Sequence, residues 1–200
     1  MIYKGFKKRN LKILLCAVII IYTVLAQGIL NFSVYAKSEN NKNSVIFTEN
    51  NIKTEDMRKE SKLDEKKLTK YLEKYPNLSG IEQTLIEIQD EYEVNAILIL
   101  AIVRLESGNG KSSIAKSRNN LGGIIVMEKS VRVYKSFDSK SDCVVYMAKL
   151  LSKSYLTEDG RYFNGYTLED IAKRYSASPE KWTELVEELI YEIQVGIDKI

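Results

Sequence analysis

Apolar residues recur at helical spacing over most of the chain beyond about Leu63. The segment 94–106 (VNAILILAIVRLE) is apolar on every side, which is typical of a helix buried all round, and Asn95 stands where its N-cap is expected. Residues 124–137 (IIVMEKSVRVYKSF) are instead β-branched and partly alternating, which predicts a small β-hairpin. Ser79 and Glu82 are spaced as in a capping box, which predicts that a helix begins there. Further helices are predicted over 112–117, 139–151 and 167–175 and from about 180 onward.

This pattern predicts a fold that is mainly α (α+β), a helical domain with one small hairpin. The domain is expected to span residues 62–200. Residues 37–61 are polar, rich in Asn, Lys and Glu, and predict a solvated linker. A hydrophobic fraction of 44% is enough for a real core and argues against global disorder.

Residues 1–36 have the pattern of an export segment. Their only charges are five cations within the first dozen residues, and 24 uncharged residues follow, from Ile13 to Ala36. Val34 and Ala36 suit a signal-peptidase cut, while the same stretch is long enough to cross a bilayer as an uncleaved anchor. Either alternative places the domain outside the cytoplasm, in the cell wall or on the outer face of the cytoplasmic membrane.

Charge and composition exclude several functions. The net charge of +3 comes from the N-terminal cations, because the remaining 25 Lys and Arg face 27 Asp and Glu, so no nucleic-acid partner is indicated. The chain has no histidine, which removes Ser-His-Asp triads, Cys-His pairs and histidine zinc sites. Cys143 is the single thiol after the export segment and is expected to be a small buried hydrophobe. We expect no metal, no cofactor and a monomer.

Glu106 is the strongest candidate for chemistry. It ends the apolar helix, where apolar surroundings and the negative end of the helix dipole both favour the protonated carboxyl. Arg104 would lower the pKa of this carboxyl if the two were adjacent, but residues two apart on a helix face different ways. Gly108 suits the left-handed helix end that follows. From the residues alone, an acid before a glycine cap is more often an ordinary surface group, so Glu106 is a candidate and no more.

The stretch 92–124 (YEVNAILILAIVRLESGNGKSSIAKSRNNLGGI) closely resembles the glucosaminidase family of peptidoglycan hydrolases, glycoside hydrolase family 73. The family pattern is approximately A-x-x-E-S-G-x-G-x-S, then N-N-L-x-G-I. VYKSFDSKSDCVVYMAKLL and RYSASPEKW resemble its later segments, so the resemblance covers about residues 75–195. It implies a lysozyme-like domain whose β-lobe flanks a sugar cleft, with Glu106 as the catalytic acid and Tyr175 in the cleft.

The departures from the family pattern concern aromatic residues and a second carboxylate. Asn109 and Gly122 stand where the family often has aromatic rings. Some members carry a second important carboxylate in the hairpin, where only Glu128 occurs before Asp138. Glu128 is therefore a candidate for a catalytic or water-positioning role, although a solvated hairpin residue is the more ordinary interpretation. The separation of two carboxylates would distinguish inverting from retaining chemistry, and assistance by the substrate's own acetamido group is a third route.

Further residues are candidates for substrate contact, although each also has a structural interpretation. The asparagines can bind N-acetyl groups or cap the turn into the hairpin, and most aromatic residues in a small domain are core residues, as expected for Trp182. The candidates for substrate binding are Tyr175, Asn119, Asn120, Ser107, Ser112 and Tyr155.

The resemblance implies a peptidoglycan hydrolase that cleaves β-1,4 bonds of glycan strands, most simply an endo-β-N-acetylglucosaminidase. A lytic transglycosylase or muramidase is the first alternative, although GNGKS and NNLGGI fit the transglycosylase pattern less well. A non-catalytic wall-binding domain of an envelope assembly is the second. The expected partners are glycan strands and, if the N-terminal segment is uncleaved, the cytoplasmic membrane.

Overall fold

The computed structural model describes residues 52, 55–61 and 63–200. The predicted export segment and most of the predicted linker lie outside the described residues. Within them, a short 3-10 turn at Pro76–Leu78 separates the first two helices. The elements in chain order are α1 (Glu65–Leu72), α2 (Glu82–Tyr92), α3 (Ala96–Ser107), α4 (Ser113–Arg118), β1 (Ile125–Glu128), β2 (Val131–Tyr134), α5 (Lys140–Tyr155), α6 (Leu168–Tyr175) and α7 (Pro179–Asp198).

Helix α3 is the centre of the domain. Every residue from Ala96 to Arg104 is buried, and α2, α5 and α7 pack around it. Each buried Ile, Leu or Val contributes about 1.5–3 kcal/mol of transfer free energy, so the helix is held by burial on all sides. Its start is fixed by Asn95, whose side-chain oxygen accepts a 3.0 Å hydrogen bond from the Leu98 N–H, as predicted.

The two strands form an antiparallel hairpin, and the mainly helical fold with one small sheet is confirmed. Ile125 pairs with Tyr134 and Met127 pairs with Arg132. Since side chains alternate along a strand, those four residues share one face of the hairpin, and Val126 and Val133 lie on the other. The two valines are half-buried, so their face is the one turned toward the domain.

The predicted capping box at Ser79 and Glu82 is wrong. The Ser79 hydroxyl donates back to the Pro76 carbonyl at 2.9 Å, and the Glu82 carboxylate accepts from the Gly80 N–H at 2.7 Å, so α2 begins without a side-chain cap. Capping boxes do form at the starts of α5 and α6, where Asp142 and Asp170 take the acidic position. The shorter aspartate makes the same reciprocal pair of bonds that Glu makes in the usual motif.

Residues 55–61 pack onto the domain. The Met57 side chain is buried, its N–H donates to the Tyr166 carbonyl at 2.8 Å, and its carbonyl accepts from the Asn95 N–H at 2.9 Å. The Ser61 N–H donates to the Gln89 side chain at 2.7 Å. The folded unit therefore includes residues that the sequence pattern assigned to the linker. Among the described residues no helix is both long and apolar enough to cross a membrane.

Candidate active site

The end of α3 is shaped by the sequence ESGNG. Gly108 takes the left-handed conformation (φ 58°) that ends the helix. The buried Ser107 hydroxyl donates to the Val103 carbonyl and accepts from the Gly110 N–H at 2.7 Å, which folds the loop back against the helix. Gly110 has φ +75°, and a Cβ there would lie 2.8 Å from atoms of Asn77. The loop therefore needs glycine at this position, and Glu106 is held one residue before a tightly packed turn.

The Glu106 side chain is accessible to solvent, yet protein atoms surround its carboxyl group closely. Burial raises the pKa of this carboxyl above its ordinary value. The indole N–H of Trp182 donates to Glu106 Oε1 over 3.4 Å, and this bond lowers the pKa again by a smaller amount. A carboxyl that solvent reaches but does not fully hydrate is suited to donating a proton near neutral pH.

Arg104 points away from Glu106, as the helical spacing predicts. Its buried guanidinium donates to the Tyr71 hydroxyl at 2.7 Å and pairs with the Glu192 carboxylate at 3.1 Å. Its Nε donates to the Asn109 side-chain oxygen at 2.8 Å. The cation is thus satisfied on the far side of α3, and the causes that shift the Glu106 pKa are burial and Trp182.

Asn109 has a structural role in this chain. The residue lies in the left-handed region (φ 57°), where asparagine is among the better tolerated side chains, and its side chain accepts from Arg104. The family pattern often has an aromatic ring at this position. Here Asn109 joins the turn to the buried network of Arg104, Tyr71 and Glu192.

A row of aromatic rings leads away from Glu106. The centroids of Trp182 and Tyr175 are 4.9 Å apart, those of Tyr175 and Tyr155 are 5.6 Å apart, and Tyr162 follows at 5.1 Å. Burial raises the pKa of Tyr175, and the charge on Glu106 raises it further. Trp182 thus connects Glu106 to Tyr175, and Tyr155 packs against the far side of Tyr175 with its ring tilted.

Trp182 is the functional candidate that the sequence pattern missed. Its position at the apolar start of α7 predicted a core residue, and the side chain is indeed largely buried. The indole N–H nevertheless reaches the Glu106 carboxylate. The available signal was its place in RYSASPEKW, seven residues after Tyr175.

The two asparagines hold the backbone at the base of the hairpin. Asn119 donates to the carbonyls of Phe137 and Asp138, both at 3.1 Å. Asn120 is 1% exposed, donates to the carbonyls of Ile124 and Lys135, and accepts from the Ile124 N–H. These contacts match the structural interpretation of both residues, and their contact with substrate stays a prediction.

The two serines are used locally as well. Ser107 forms the turn bonds described above, and the Ser112 hydroxyl caps α4 by accepting from the Ala115 N–H at 3.1 Å. The Ser112 N–H donates to the Ser107 carbonyl at 2.9 Å, which connects the turn to α4. Their contact with substrate likewise stays a prediction.

Glu128 is the last residue of β1 and is exposed. It lies on the hairpin face that carries the half-buried Val126 and Val133, the face turned toward the domain. Among the described residues, none forms a side-chain hydrogen bond or ion pair with it, and it is not joined to Glu106. Across the same part of the chain, no cluster of three or more His, Cys, Asp or Glu side chains is placed to hold a metal ion.

Comparison with known families gives a match over most of the domain. The glucosaminidase family model, described as mannosyl-glycoprotein endo-beta-N-acetylglucosaminidase, matches residues 82–195. Two curated proteins of Streptococcus pneumoniae, named as candidate endo-beta-N-acetylglucosaminidases, are each 30% identical over 111 residues, 55% of this chain. The chain spans 17% and 16% of the length of these relatives.

Solved structures with the same fold include autolysin E of S. aureus. It aligns with a TM-score of 0.57 at 22% identity, over 71% of this chain and 70% of the other. A catalytic mutant of that protein in complex with the disaccharide NAG-NAM aligns with a TM-score of 0.58 at 21% identity, over 71% of each chain. At this level of identity the likeness establishes the fold, which is the one the sequence predicted.

Proposed function

The chain belongs to the glucosaminidase family, and on that premise we propose that it hydrolyses the glycan strands of bacterial peptidoglycan. The proposed reaction is cleavage of the β-1,4 bond after N-acetylglucosamine, with Glu106 as the general acid. The observation that carries this proposal is the Glu106 carboxyl itself, which is open to solvent, has a raised pKa and accepts from Trp182, whose ring packs against Tyr175.

The chemistry requires a proton on the leaving glycosidic oxygen. A carboxyl with an ordinary pKa is almost fully ionised at neutral pH, and burial keeps a larger fraction of Glu106 protonated. The Trp182 N–H occupies Oε1, so the proton to be donated resides on Oε2. The indole thereby selects which carboxyl oxygen faces the substrate.

The second half of the reaction needs a group that stabilises the sugar cation or activates water. Glu128 fills this role in our proposal because it lies on the domain-facing side of the hairpin and has no side-chain partner among the described residues. Participation by the substrate's acetamido group is the alternative. The separation of two carboxyl groups distinguishes inverting from retaining chemistry, so the position that Glu128 takes beside bound glycan determines the stereochemical outcome.

The aromatic row supplies the expected surface for sugar rings. Tyr175 is the candidate for direct contact, because it is half-buried and packs against Trp182, the partner of Glu106, while Tyr155 packs against it from the interior. The names of the relatives support this substrate class, since the curated ones are named for endo-β-N-acetylglucosaminidase activity and an autolysin E mutant was solved with NAG-NAM.

We further propose that the enzyme is exported, is a monomer, and stays at the membrane if its N-terminal segment is uncleaved.

Product analysis tests the proposal. Purified cell walls are digested with the full chain, and the new ends are identified by mass spectrometry after reduction. A glucosaminidase leaves reducing N-acetylglucosamine. Reducing N-acetylmuramic acid would instead indicate a muramidase, anhydro-muramic ends a transglycosylase, and the absence of new ends a wall-binding domain without catalysis. Each of these three outcomes contradicts the proposed reaction.

A further inference from the structure

The hairpin has an exposed apolar surface. Four of the six large hydrophobic residues that are exposed in the described part of the chain lie within its ten residues. Single exposed apolar residues are ordinary on a soluble domain, whereas a cluster marks a surface that contacts something else. The four are Ile125 (43% exposed), Met127 (64%), Val131 (59%) and Tyr134 (43%).

Three of these residues lie on one face of the sheet. The strand register places Ile125 opposite Tyr134 and Met127 opposite Arg132, and all four side chains are exposed. We call this set the outer hairpin face. The half-buried Val126 and Val133 on the opposite face show which side is turned to the domain. The outer hairpin face therefore has no cover from the described residues, whereas the exposed Val131, paired with Glu128, lies at the tip on the opposite face.

Cations surround the outer hairpin face. Lys129 lies in the exposed turn at the tip, and Arg132 is part of the face. Arg118, at the end of α4, donates to the Tyr134 carbonyl at 3.3 Å and to the Ser136 hydroxyl at 3.0 Å, so its charge is held beside β2. Residues 113–135 include five cations and one acid, whereas residues 37–200 as a whole have more acids than cations.

We propose that the outer hairpin face docks on the surface of an anionic lipid bilayer. Segments that lie in the bilayer interface typically combine aliphatic and aromatic side chains with interspersed Lys and Arg, as this face does. There the apolar groups reach the acyl boundary while the cations remain with the phosphates. This interaction is independent of the proposed glycan hydrolysis, because it uses the side of the hairpin that faces away from the domain.

The same composition disfavours the other occupants. A glycan strand is bound by ring stacking and by amide and hydroxyl groups, and among the apolar residues of this face only Tyr134 has a ring and a hydroxyl, whereas Ile125 and Met127 offer neither. A second copy of the chain would bring Lys129 and Arg132 of both copies together, and like charges across an interface are repulsive. An anionic bilayer satisfies both the charge and the apolar side chains.

The cations contribute a measurable part of this binding. One Lys or Arg near an anionic membrane surface contributes about 1 kcal/mol, or about fivefold in partitioning. Removing Lys129 and Arg132 together is expected to weaken docking by about 30-fold. The substitutions that remove these two charges and keep polar side chains are Lys129→Asn and Arg132→Gln. Asparagine is chosen because residue 129 has φ +46°, which asparagine tolerates.

The test measures the depth of the hairpin tip in the full chain. The Met127→Trp variant is reconstituted with phosphatidylglycerol vesicles whose acyl chains are brominated. Bromine quenches the fluorescence of tryptophans that enter the bilayer, so the loss of emission is measured. Trp182, the single tryptophan of the chain, gives a constant background that the unmutated chain measures. Ile200→Trp, at an exposed site outside the hairpin, is the matched control. All variants carry the same N-terminal segment, so differences between sites come from the domain.

We expect the Met127→Trp emission to be quenched more than that of the Ile200→Trp control, and much less in phosphatidylcholine vesicles than in phosphatidylglycerol vesicles. When Lys129→Asn and Arg132→Gln are added, the same quenching is expected to require about 30-fold more lipid. Equal quenching at residues 127 and 200 overturns the proposal, as does equal quenching in both lipids. A blue shift of the Met127→Trp emission with wall fragments but no lipid quenching would assign the face to glycan. A shift that depends only on protein concentration would assign it to a second copy.

Discussion

Removal of the Trp182 N–H is expected to move the pH profile of the enzyme upward. Trp182→Phe keeps an aromatic ring in the row and deletes the donor to Glu106 Oε1, together with part of the indole volume. That donor favours the ionised carboxylate, so its loss raises the Glu106 pKa beyond the increase that burial already causes. Because Glu106 acts in its protonated form, the alkaline limb of the activity profile follows this pKa and shifts in the same direction.

The size of the shift follows from the length of the bond. A hydrogen bond to a charged group contributes about 1.5–3 kcal/mol at good geometry, and the 3.4 Å separation places this one at the weak end or below. About 0.7–1.4 kcal/mol of lost stabilisation corresponds to roughly 0.5–1 pKa unit. We also expect a lower maximal rate, since Oε2 is no longer selected to face the substrate.

The assay is release of reducing ends from purified walls as a function of pH. Tyr162→Phe is the control, because it alters the far end of the same aromatic row without touching Glu106. An alkaline limb that stays fixed or moves to lower pH in Trp182→Phe would refute the reasoning. Fluorescence of the single tryptophan gives a second readout that does not depend on activity: its emission is expected to titrate with Glu106 in the unmutated chain and not in Glu106→Gln.

Two further changes test the second carboxylate and the turn. Glu128→Gln is expected to lower kcat by about 10²-fold or more with little change in KM if this residue activates water, whereas unchanged kcat would favour the acetamido route. Gly110→Ala is expected to destabilise the fold by about 2–4 kcal/mol, since it combines a left-handed backbone with a Cβ that would lie 2.8 Å from Asn77. Gly123→Ala, also left-handed but with open space around its Cβ, is expected to cost only about 1–2 kcal/mol. Urea denaturation at a constant m value measures both, and equal losses in the two variants would contradict the steric argument.

The fold was largely predictable because its elements are locally encoded. The apolar run of α3, the Asn95 cap and the β-branched hairpin each carry their signal within about a dozen residues. The predicted capping box at the start of α2 was wrong because Ser79 and Glu82 can also form other local hydrogen bonds, to Pro76 and Gly80. The sequence does not distinguish between these arrangements. The packing of Met57 was not foreseeable, since its partners lie about 40 and 110 residues further along the chain.

The site was predictable in part. Glu106 and Tyr175 were named by motif, and each contacts Trp182 in the structure, while their roles stay predictions. The indole of Trp182 has both an apolar body and one donor, and whether that donor meets a carboxylate depends on how α7 packs against α3, a long-range contact that periodicity does not encode. Asn120 was a candidate for sugar binding because amides bind N-acetyl groups, but its amide is already engaged with three backbone groups.

Activity of the Glu106→Gln variant is the most direct test of the central claim. Glutamine keeps the size of the side chain and an oxygen that accepts from Trp182, but its amide has no acidic proton to transfer to the leaving oxygen. With the fold verified by an unchanged denaturation midpoint, we predict that release of new reducing ends from cell walls falls by about 10²–10⁴-fold. A folded Glu106→Gln variant that cleaves walls at the rate of the unmutated chain would contradict the assignment of Glu106 as the catalytic acid.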